Sequence, residues 1–328
     1  QISAPEATKV GLDIAGKIYT MTKDENGVWT GTSAPQDPGF HYYQLNIDGA
    51  SVPDPTSLYY YGASRWGRGI EVPSDDQDFW QVKNVPQGSM SEVYYYSTYT
   101  EKMRRCFVYL PNEYFTNPTK KFPVLYLQHG MGENEYSWPY QGHVASIMDN
   151  LIAEKKAVPF IIVMDNGLNA NAPRPAGQAP QGGQRPQGGF GGFGGFADGF
   201  KNVLFNDIIP MIEKNYRVIA DSEHRAYSGL SMGGMQAREI TLANPGKFAY
   251  VGSFSSGAWS VDQVKNSEGF AQKTKLLFMS GGGKENMGCV EAAKNIKEQL
   301  GMNAVGYESE GTAHEFHTWR RSLYQFAQ

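Results

Sequence analysis

The amino-acid sequence predicts an α/β domain with a mainly parallel sheet, preceded by a small all-β sandwich. Residues 1–86 carry short stretches of alternating polar and apolar residues, separated by turn residues. Residues 87–328 alternate apolar strands with amphipathic helices, which is typical of a parallel sheet covered on both faces. At 328 residues the chain is also long for a single core. We therefore predict two domains, 1–86 and 87–328.

Composition excludes some classes of function. The net charge of −4 gives no basic surface for nucleic acid, and no apolar run is long enough to span a membrane. The start, Gln1-Ile2-Ser3-Ala4-Pro5, has no features of a signal peptide, so we expect one to have been removed or the chain to have been trimmed. We expect a secreted, periplasmic or cell-surface protein. Its oligomeric state is not predicted.

Cysteine and histidine usage argues against redox and metal chemistry. Cys106 and Cys289 lie far apart in the sequence, and we predict two buried free thiols in preference to a bridge. His314 and His317 stand three residues apart, but the second half of a zinc motif is missing. We therefore expect neither a cofactor nor a metal ion.

The N-terminal 86 residues read as short strands. Alternation over 9–14, 17–21 and 40–47 predicts half-buried strands, and Asn26-Gly27 predicts a hairpin turn. Residues 66–80, rich in polar and turn residues, read as a connection to the second domain.

This segment resembles a known module. The order Gly27-x-Trp29, Tyr42-Tyr43, Asp48-Gly49 and Pro53-Asp54-Pro55 is similar to the immunoglobulin-like carbohydrate-binding modules of family 48 over roughly the first 60 residues. The resemblance implies a glycan-binding role. Trp29 and Trp66 are candidates for a sugar-binding platform, although Trp29 is also a candidate for the sandwich core.

The second domain is predicted from its alternating elements. Apolar strands are expected at 122–128, 160–164 and 275–280, and helices at 144–155, 205–216, 290–300 and 319–326. A low-complexity insertion at about 170–200, made mostly of Gly, Gln, Pro, Arg and Phe, is predicted to be a disordered loop. The alternative is a mobile aromatic flap near the carboxyl edge of the sheet, formed by Phe190, Phe193 and Phe196.

A Gly-x-Ser-x-Gly pattern, Gly229-Leu230-Ser231-Met232-Gly233, indicates a nucleophile. A short strand precedes it at 225–228, and a helix follows at 235–243. In this context glycines permit a sharp strand-to-helix turn that exposes the serine hydroxyl, as in the nucleophile elbow of α/β-hydrolases. We predict Ser231 to be the nucleophile, and we keep a glycine-rich surface turn as the alternative.

The partners of the serine follow from chain order. A serine hydroxyl needs a base, usually a histidine oriented by a carboxylate, and in α/β-hydrolases the order is serine, acid, histidine. Of the two histidines after Ser231, His314 lies in a loop after the last predicted strand and is the predicted base. Glu285 follows the 275–280 strand and is the predicted acid; the alternative is a surface glutamate paired with Lys284.

Two backbone amides are predicted to stabilise an oxyanion. The residue after the nucleophile, Met232, supplies one donor, and Met131, in the loop after the 122–128 strand, supplies the second. His129 is expected to brace this loop.

Three blocks together carry a second resemblance. Residues 127–138, 225–234 and 314–320 are similar to the family-1 carbohydrate esterases, which include feruloyl esterases and acetyl xylan esterases. The resemblance covers about residue 90 to the end. It implies a triad of Ser231, His314 and an acid in the loop after Gly283, where alignment allows either Glu285 or Asn286. It also implies ester hydrolysis through an acyl-enzyme.

The resemblance favours a feruloyl esterase that releases ferulate or related hydroxycinnamates from xylan side chains. Tyr136, Trp138 and Trp259, together with the flap phenylalanines, are the predicted lining for the aromatic ring, although each is also a candidate for core packing. The expected partner is feruloylated or acetylated xylan or its oligosaccharides. The alternatives are an acetyl xylan or other short-acyl esterase and, if Glu285 does not support His314, a glycan-binding pseudo-enzyme.

Overall fold

A computed structural model describes residues 1–168, 170 and 194–328, with residues 194–196 as backbone only. Most of the 170–200 insertion, including Phe190 and Phe193 of the predicted flap, therefore lies outside the described residues, as does the side chain of Phe196. The described residues form three sheets: a three-stranded sheet, a six-stranded sheet and an eight-stranded sheet. The first two belong to the N-terminal part, and all of their strand pairs are antiparallel.

The N-terminal sheets contain nine strands: β1 (Ile2–Ser3), β2 (Val10–Ile14), β3 (Lys17–Thr20), β4 (Thr22–Lys23), β5 (Val28–Thr30), β6 (Gly39–Ile47), β7 (Ala50–Val52), β8 (Tyr59–Gly62) and β9 (Arg65–Val72). The order is β1-β5-β4 in one sheet and β3-β2-β6-β9-β8 in the other, where β7 also pairs with β6. Trp29 is buried in a small apolar cluster and donates its indole N–H to the Ala4 carbonyl. Trp29 thus fills the core, whereas Trp66 is 47% exposed.

The interpretation of residues 66–80 as a polar connection is wrong for its first half. Residues Arg65–Val72 form β9, which lies between β6 and β8. Gly67 and Gly69 weaken the sequence signal of a strand, but the packing of aromatic rings requires a residue without a side chain at position 69. A Cβ on Gly69 would lie 2.3 Å from the Phe40 ring.

The eight-stranded sheet has the order β10-β11-β13-β12-β14-β15-β16-β17. Its strands are β10 (Ser89–Ser97), β11 (Lys102–Leu110), β12 (Val124–Gln128), β13 (Ile161–Asp165), β14 (Arg225–Leu230), β15 (Tyr250–Phe254), β16 (Leu276–Gly282) and β17 (Ala304–Ser309). The pairs β10/β11 and β11/β13 are antiparallel, and the remaining pairs are parallel. The predicted fold class, a mainly parallel α/β domain after an all-β part, is confirmed. The boundary at residue 86 stays a prediction.

The described helices of this part are α1 (Glu113–Thr116), α2 (Ser137–Tyr140), α3 (Val144–Ala153), α4 (Gly194–Val203), α5 (Ile209–Asn215), α6 (Met232–Ala243), α7 (Val261–Lys265), α8 (Phe270–Lys273), α9 (Cys289–Leu300) and α10 (Phe316–Phe326). A π-helical turn at Leu204–Ile208 joins α4 to α5, and short 3-10 helices lie at Gln77–Phe79, Ser222–His224 and Gly283–Glu285. Two apolar clusters contain residues of the sheet and of the helices. None of the described helices is long and apolar enough to cross a membrane.

Several helices begin earlier than the sequence predicts. Helix α4 starts at Gly194, inside the segment predicted to be a loop, and α10 starts at Phe316 instead of Trp319. Glycines at the start of α4 disfavour a helix by propensity. The buried side chains of Phe200 and Val203 join the main core and override that preference.

Both cysteines behave as predicted. Cys106 and Cys289 are buried and free. Burial raises the pKa of the Cys289 thiol to about 11. Both groups are therefore inert neutral thiols at neutral pH.

A buried ion pair joins the N-terminal sheet to the second part of the chain. Arg320 of α10 is fully buried and makes two hydrogen bonds to the Glu71 carboxylate, at 2.6 and 2.9 Å. The same guanidinium donates to the Gln141 carbonyl and lies over the Trp80 ring. Phe40 of β6 belongs to the apolar cluster that also contains the buried residues of α10. Residues of both parts therefore pack together in one of the apolar clusters.

We expect Glu71→Gln to lower the free energy of unfolding by about 3 kcal/mol, because it leaves the buried Arg320 cation without a carboxylate. Denaturant-induced unfolding measures this change. The control is Lys284→Gln, which breaks the exposed Lys284–Asp37 pair and should cost less than about 1 kcal/mol. Equal effects from the two variants would show that the buried pair has no special role.

Candidate active site

Ser231 stands on a sharp turn between β14 and α6. Its backbone has φ 49° and ψ −115°, a conformation that residues other than glycine adopt rarely. The turn is possible because Gly229 and Gly233 touch: a Cβ on Gly229 would lie 2.5 Å from the Gly233 carbonyl carbon. A Cβ on Gly233 would meet the His129 carbonyl oxygen at 2.6 Å. The backbone therefore holds the serine at the carboxyl end of β14.

The predicted nucleophile, base and acid lie within hydrogen-bonding distance of one another. His314 Nε2 is 3.0 Å from Ser231 Oγ, and His314 Nδ1 is 2.7 Å from Glu285 Oε1. Glu285 ends the short 3-10 helix after β16, and Asn286 follows it in a left-handed conformation, with its side chain exposed. Of the two candidates for the acid, the one in contact with His314 is Glu285.

Two further groups hold the Glu285 carboxylate. Glu285 Oε2 accepts hydrogen bonds from Ser255 Oγ at 2.6 Å and from the Gly282 N–H at 2.7 Å. Burial opposes ionisation of Glu285, but the hydrogen bonds from His314, Ser255 and Gly282 outweigh it and lower the pKa of this carboxyl. The carboxylate is thus ionised at neutral pH and has a free oxygen lone pair for the imidazole.

Ser255 belongs to the site but carries no recognisable motif in the sequence. This residue directly follows β15, and β15 lies between β14 and β16 in the sheet. The only available signal was its place at the end of a parallel strand beside the strand that carries the nucleophile. It also has φ 49°, which shows that the chain is held in an unfavourable conformation there.

The loop after β12 passes directly beside the serine. A Cβ on Gly130 would lie 3.3 Å from Ser231 Cβ. Residues 130–133 form a β-turn: the Glu133 N–H donates to the Gly130 carbonyl at 3.3 Å, and Gly132 has φ 78°. The Gly130 N–H donates a hydrogen bond to Glu133 Oε2 at 3.1 Å. Met131, the predicted donor, stands at the exposed second position of this turn.

Met232, the other predicted donor, is the first residue of α6. The first amides of a helix have no partner within the helix. The Met232 N–H is therefore available to an oxygen atom near Ser231, and its side chain is buried.

His129 braces this loop. Its Nε2 accepts a hydrogen bond from the Gly167 N–H at 3.0 Å, so that Nδ1 carries the proton and donates to the Gly130 carbonyl at 2.7 Å. Burial lowers the pKa of His129 to about 4, and the ring is neutral at pH 7. His317, the other histidine after Ser231, is buried in α10. Its Nε2 lies 3.2 Å from Asp76 Oδ1.

Two of the predicted substrate-binding residues lie in the core. Trp138 and Trp259 are each 1% exposed. Trp138 donates its indole N–H to the Gln128 carbonyl, and Trp259 packs on Phe270. The prediction that they line an open mouth is wrong, because both indole rings are enclosed by the apolar core, and tryptophan is highly buried on average.

Tyr136, the third predicted residue, lies at the surface between the two parts of the chain. It packs against Trp66 of β9 at a ring distance of 5.3 Å and stacks on Tyr140 at 5.8 Å. The Tyr61 ring also packs edge-to-face against Trp66, at a ring distance of 5.4 Å. We call these four rings the aromatic cleft; they help to line a depression of about 180 Å³. Residues from both parts form it, which a sequence pattern alone does not reveal.

The described residues contain no group of three or more His, Cys, Asp or Glu side chains that could hold a metal ion. A hydroxyl, an imidazole and a carboxylate in this order are the parts of a nucleophilic acyl-transfer site.

We expect the buried carboxyl of Glu133 to make stability depend on pH. Burial raises the pKa of Glu133 from 4.5 to about 7. Between these values the unfolded chain loses the proton while the folded protein keeps it, so the folded state loses stability as pH rises. Relative to the wild type, Glu133→Gln should gain about 2–3 kcal/mol from pH 4.5 to 7, and the gain should level off about one pH unit above 7.

Denaturant-induced unfolding of the two proteins at a series of pH values measures this difference. The control is Glu298→Gln on the exposed side of α9, which should give no such trend. A wild-type/Glu133→Gln difference that is constant over this window would contradict a raised pKa.

Comparison with known proteins agrees with this geometry. The Esterase family profile matches residues 97–327. The chain is 43% identical to an endo-1,4-beta-xylanase/feruloyl esterase of Xylanibacter ruminicola, over all of this chain and 44% of that protein. It is 24% identical to endo-1,4-beta-xylanase Y of Acetivibrio thermocellus, over 53% of this chain and 16% of that protein. The chain thus spans less than half the length of each of these relatives.

Solved structures show the same fold. A ferulic acid esterase matches 75% of this chain and 97% of its own length, with 25% identity and a TM-score of 0.57. The enterobactin esterase of Shigella flexneri matches 98% of this chain and 87% of its own, with 14% identity and a TM-score of 0.65. The family profile covers most of the chain, from the end of β10 to the end of α10. This protein belongs to the Esterase family of α/β-hydrolases.

Proposed function

We propose that this chain is a serine esterase that releases ferulate or related hydroxycinnamates from xylan side chains. The observation that carries the proposal is the hydrogen-bonded chain from Glu285 through His314 to Ser231. The similarity to a xylanase/feruloyl esterase over the whole length of this chain supports the substrate class. The 2.7 Å contact between His314 and Glu285 argues against the pseudo-enzyme alternative.

The first step is acylation. His314 Nε2 removes the proton of Ser231 as Oγ attacks the ester carbonyl carbon. Glu285 accepts from Nδ1–H, which keeps Nε2 free to act as the base and stabilises the imidazolium that forms. His314 then donates the proton to the leaving sugar oxygen, and the acyl group stays on Ser231.

The negative charge of the tetrahedral intermediate develops on the former carbonyl oxygen. We assign the N–H groups of Met131 and Met232 to this oxyanion, since one starts α6 directly after the nucleophile and the other lies in the turn beside it. Loss of one such donor lowers kcat by about 10²–10³ in related chemistry.

The second step is deacylation. His314 removes a proton from a water molecule, whose oxygen attacks the acyl carbon. Collapse of this second intermediate breaks the acyl–oxygen bond to Ser231, which recovers its proton from His314. The products are the carboxylic acid and the sugar hydroxyl.

The aromatic cleft supports the choice of substrate. Aromatic faces bind both phenolic rings and the apolar faces of sugar rings. Because Trp66 comes from β9, we also propose that residues 1–86 are a carbohydrate-binding module that contributes to substrate binding. A secreted or cell-surface location would suit a polysaccharide substrate, and we propose it on that ground.

We expect kcat/KM to be highest on methyl ferulate when it is measured beside acetylated xylan and p-nitrophenyl acetate. Ser231→Ala should abolish turnover of all three, since it removes the nucleophile. A preference for acetylated xylan would favour an acetyl esterase and overturn the feruloyl assignment. Unchanged hydrolysis by Ser231→Ala would overturn the mechanism itself.

Ser255→Ala should lower kcat on methyl ferulate roughly 10-fold with little change in KM, because Glu285 loses one of its hydrogen bonds and orients His314 less well. Ser256→Ala is the matched control. Its hydroxyl contacts Ser253 Oγ instead of Glu285, and its kcat should stay near that of the wild type. Equal kcat values for the two variants would contradict a role for Ser255 in orienting the acid.

A further inference from the structure

We propose that the tip of the β8–β9 hairpin, in the N-terminal part of the chain, positions the oxyanion turn of the catalytic part. The inference rests on the proposed function, because it takes Met131 as an oxyanion donor. Its structural basis is one hydrogen bond: the Ser64 N–H donates to the Gly132 carbonyl at 2.8 Å. The N-terminal part would thereby contribute to the rate of the chemical step as well as to substrate binding.

The oxyanion turn, residues 130–133, is held at both of its ends. At its start the Gly130 N–H donates to the Glu133 carboxyl group, and at its end the Gly132 carbonyl accepts from Ser64. These two contacts fix the peptide planes at the two ends of the turn, which are the 129–130 and 132–133 peptides. The Met131 N–H lies in the 130–131 peptide between these ends, whose carbonyl accepts from His129 Nδ1 and from the Glu133 N–H. A displacement of the Gly132 carbonyl would also move this peptide, because the turn is only four residues long.

The hairpin tip fits closely against the turn. A Cβ on Gly132 would lie 3.3 Å from Ser64 Oγ and 3.6 Å from Ala63 Cα. Ala63 and Ser64 form a two-residue loop with φ 51° and 63°, and Gly62 pairs with Arg65 across it. Positive φ at both loop residues matches the tight turn that two-residue hairpins favour. The position of the Ser64 N–H is thus set by the strand pairing.

The hairpin is itself attached to the catalytic part beside the tip. Gln141, at the end of α2, donates from Nε2 to the Tyr61 carbonyl at 2.8 Å and to the Tyr42 hydroxyl at 2.9 Å. Tyr61 pairs with Trp66 across the two strands, and Trp66 packs on Tyr136. The tip is therefore a fixed support, because side-chain contacts anchor the strands behind it.

The N-terminal sheet provides a matched control. The β2–β3 hairpin has the same two-residue loop, Ala15-Gly16, with φ 52° and 74°, and Ile14 pairs with Lys17 across it. A Cβ on Gly16 would meet no atom within 4 Å. Proline cannot adopt a positive φ and has no N–H. Ser64→Pro and Gly16→Pro therefore disturb equivalent loops, but only the first removes the contact with the oxyanion turn.

The experiment measures kcat and KM of both variants on p-nitrophenyl acetate, a substrate too small to need the aromatic cleft. We expect Ser64→Pro to lower kcat at least 10-fold with KM changed less than about 2-fold, since a misplaced oxyanion donor affects the transition state. Gly16→Pro should keep the wild-type kcat. Ser64→Gly, which retains the N–H and tolerates a positive φ, should also keep it.

A second pair of variants tests the same contact without proline, in case the proline variants do not fold. Insertion of one glycine between Ala63 and Ser64 shifts the N–H, and insertion between Ala15 and Gly16 is its control. Equal kcat within each pair would overturn the inference, and so would a rise in KM alone for the changes at the Ala63-Ser64 loop.

Wild-type hydrolysis of p-nitrophenyl acetate and of methyl ferulate, measured in the same assay, tests the proposed function separately. If the wild type hydrolyses p-nitrophenyl acetate but not methyl ferulate, the substrate assignment fails while the positioning role is still measured. A wild type that hydrolyses neither ester overturns both proposals.

Discussion

Close contact between two glycines is the constraint on which the candidate site depends. Gly229 and Gly233 let α6 leave β14 so sharply that Ser231 takes a backbone conformation disfavoured for its type. The surrounding backbone stabilises that conformation: the Ser231 N–H donates to the Phe254 carbonyl at 2.7 Å, and its carbonyl accepts from the Met235 N–H at 3.0 Å. A side chain at either glycine would push the helix away from the strand and displace the hydroxyl.

The order of the sheet brings the other groups to this serine. The oxyanion turn follows β12, Ser255 follows β15, Glu285 follows β16 and His314 follows β17. These strands are parallel to β14 and, with it, occupy consecutive places in the sheet. Their carboxyl ends therefore meet at one edge, where sites in open α/β sheets lie. Residues more than 100 positions apart in the chain become neighbours through this one topological rule.

The catalytic residues could be predicted from the sequence where short motifs and the order of elements determine their position. The turn at Ser231 needs glycines at fixed spacing, and the order of nucleophile, acid and base follows from strand order; both are visible in a single chain. The choice between Glu285 and Asn286 needed the conformation of the 3-10 helix, which places one side chain inward and the next in solvent. Ser255 was missed because its contact crosses between strands.

The sequence was a poorer guide to which side chains are buried than to which side chains form the catalytic triad. Trp138 and Tyr136 stand two residues apart and looked equivalent in the sequence, yet one is in the core and the other lies against Trp66. The difference depends on packing partners from other parts of the chain. Strand β9 was not predicted for a related reason: Gly69, which lowers its strand propensity, leaves room for the rings of Phe40 and Tyr60 from neighbouring strands.

The position of Arg320 has a consequence for how the protein could be divided. Arg320 follows His314 by only six residues and is fully enclosed by groups from both parts of the chain. A shortened chain without the N-terminal sheets would carry a desolvated cation with no counterion and bare apolar surface where Phe40 had packed. Such a fragment would be prone to aggregate on expression. The intact chain should melt in one cooperative transition, and the loop that holds the histidine should lose its order together with the sheets that precede it.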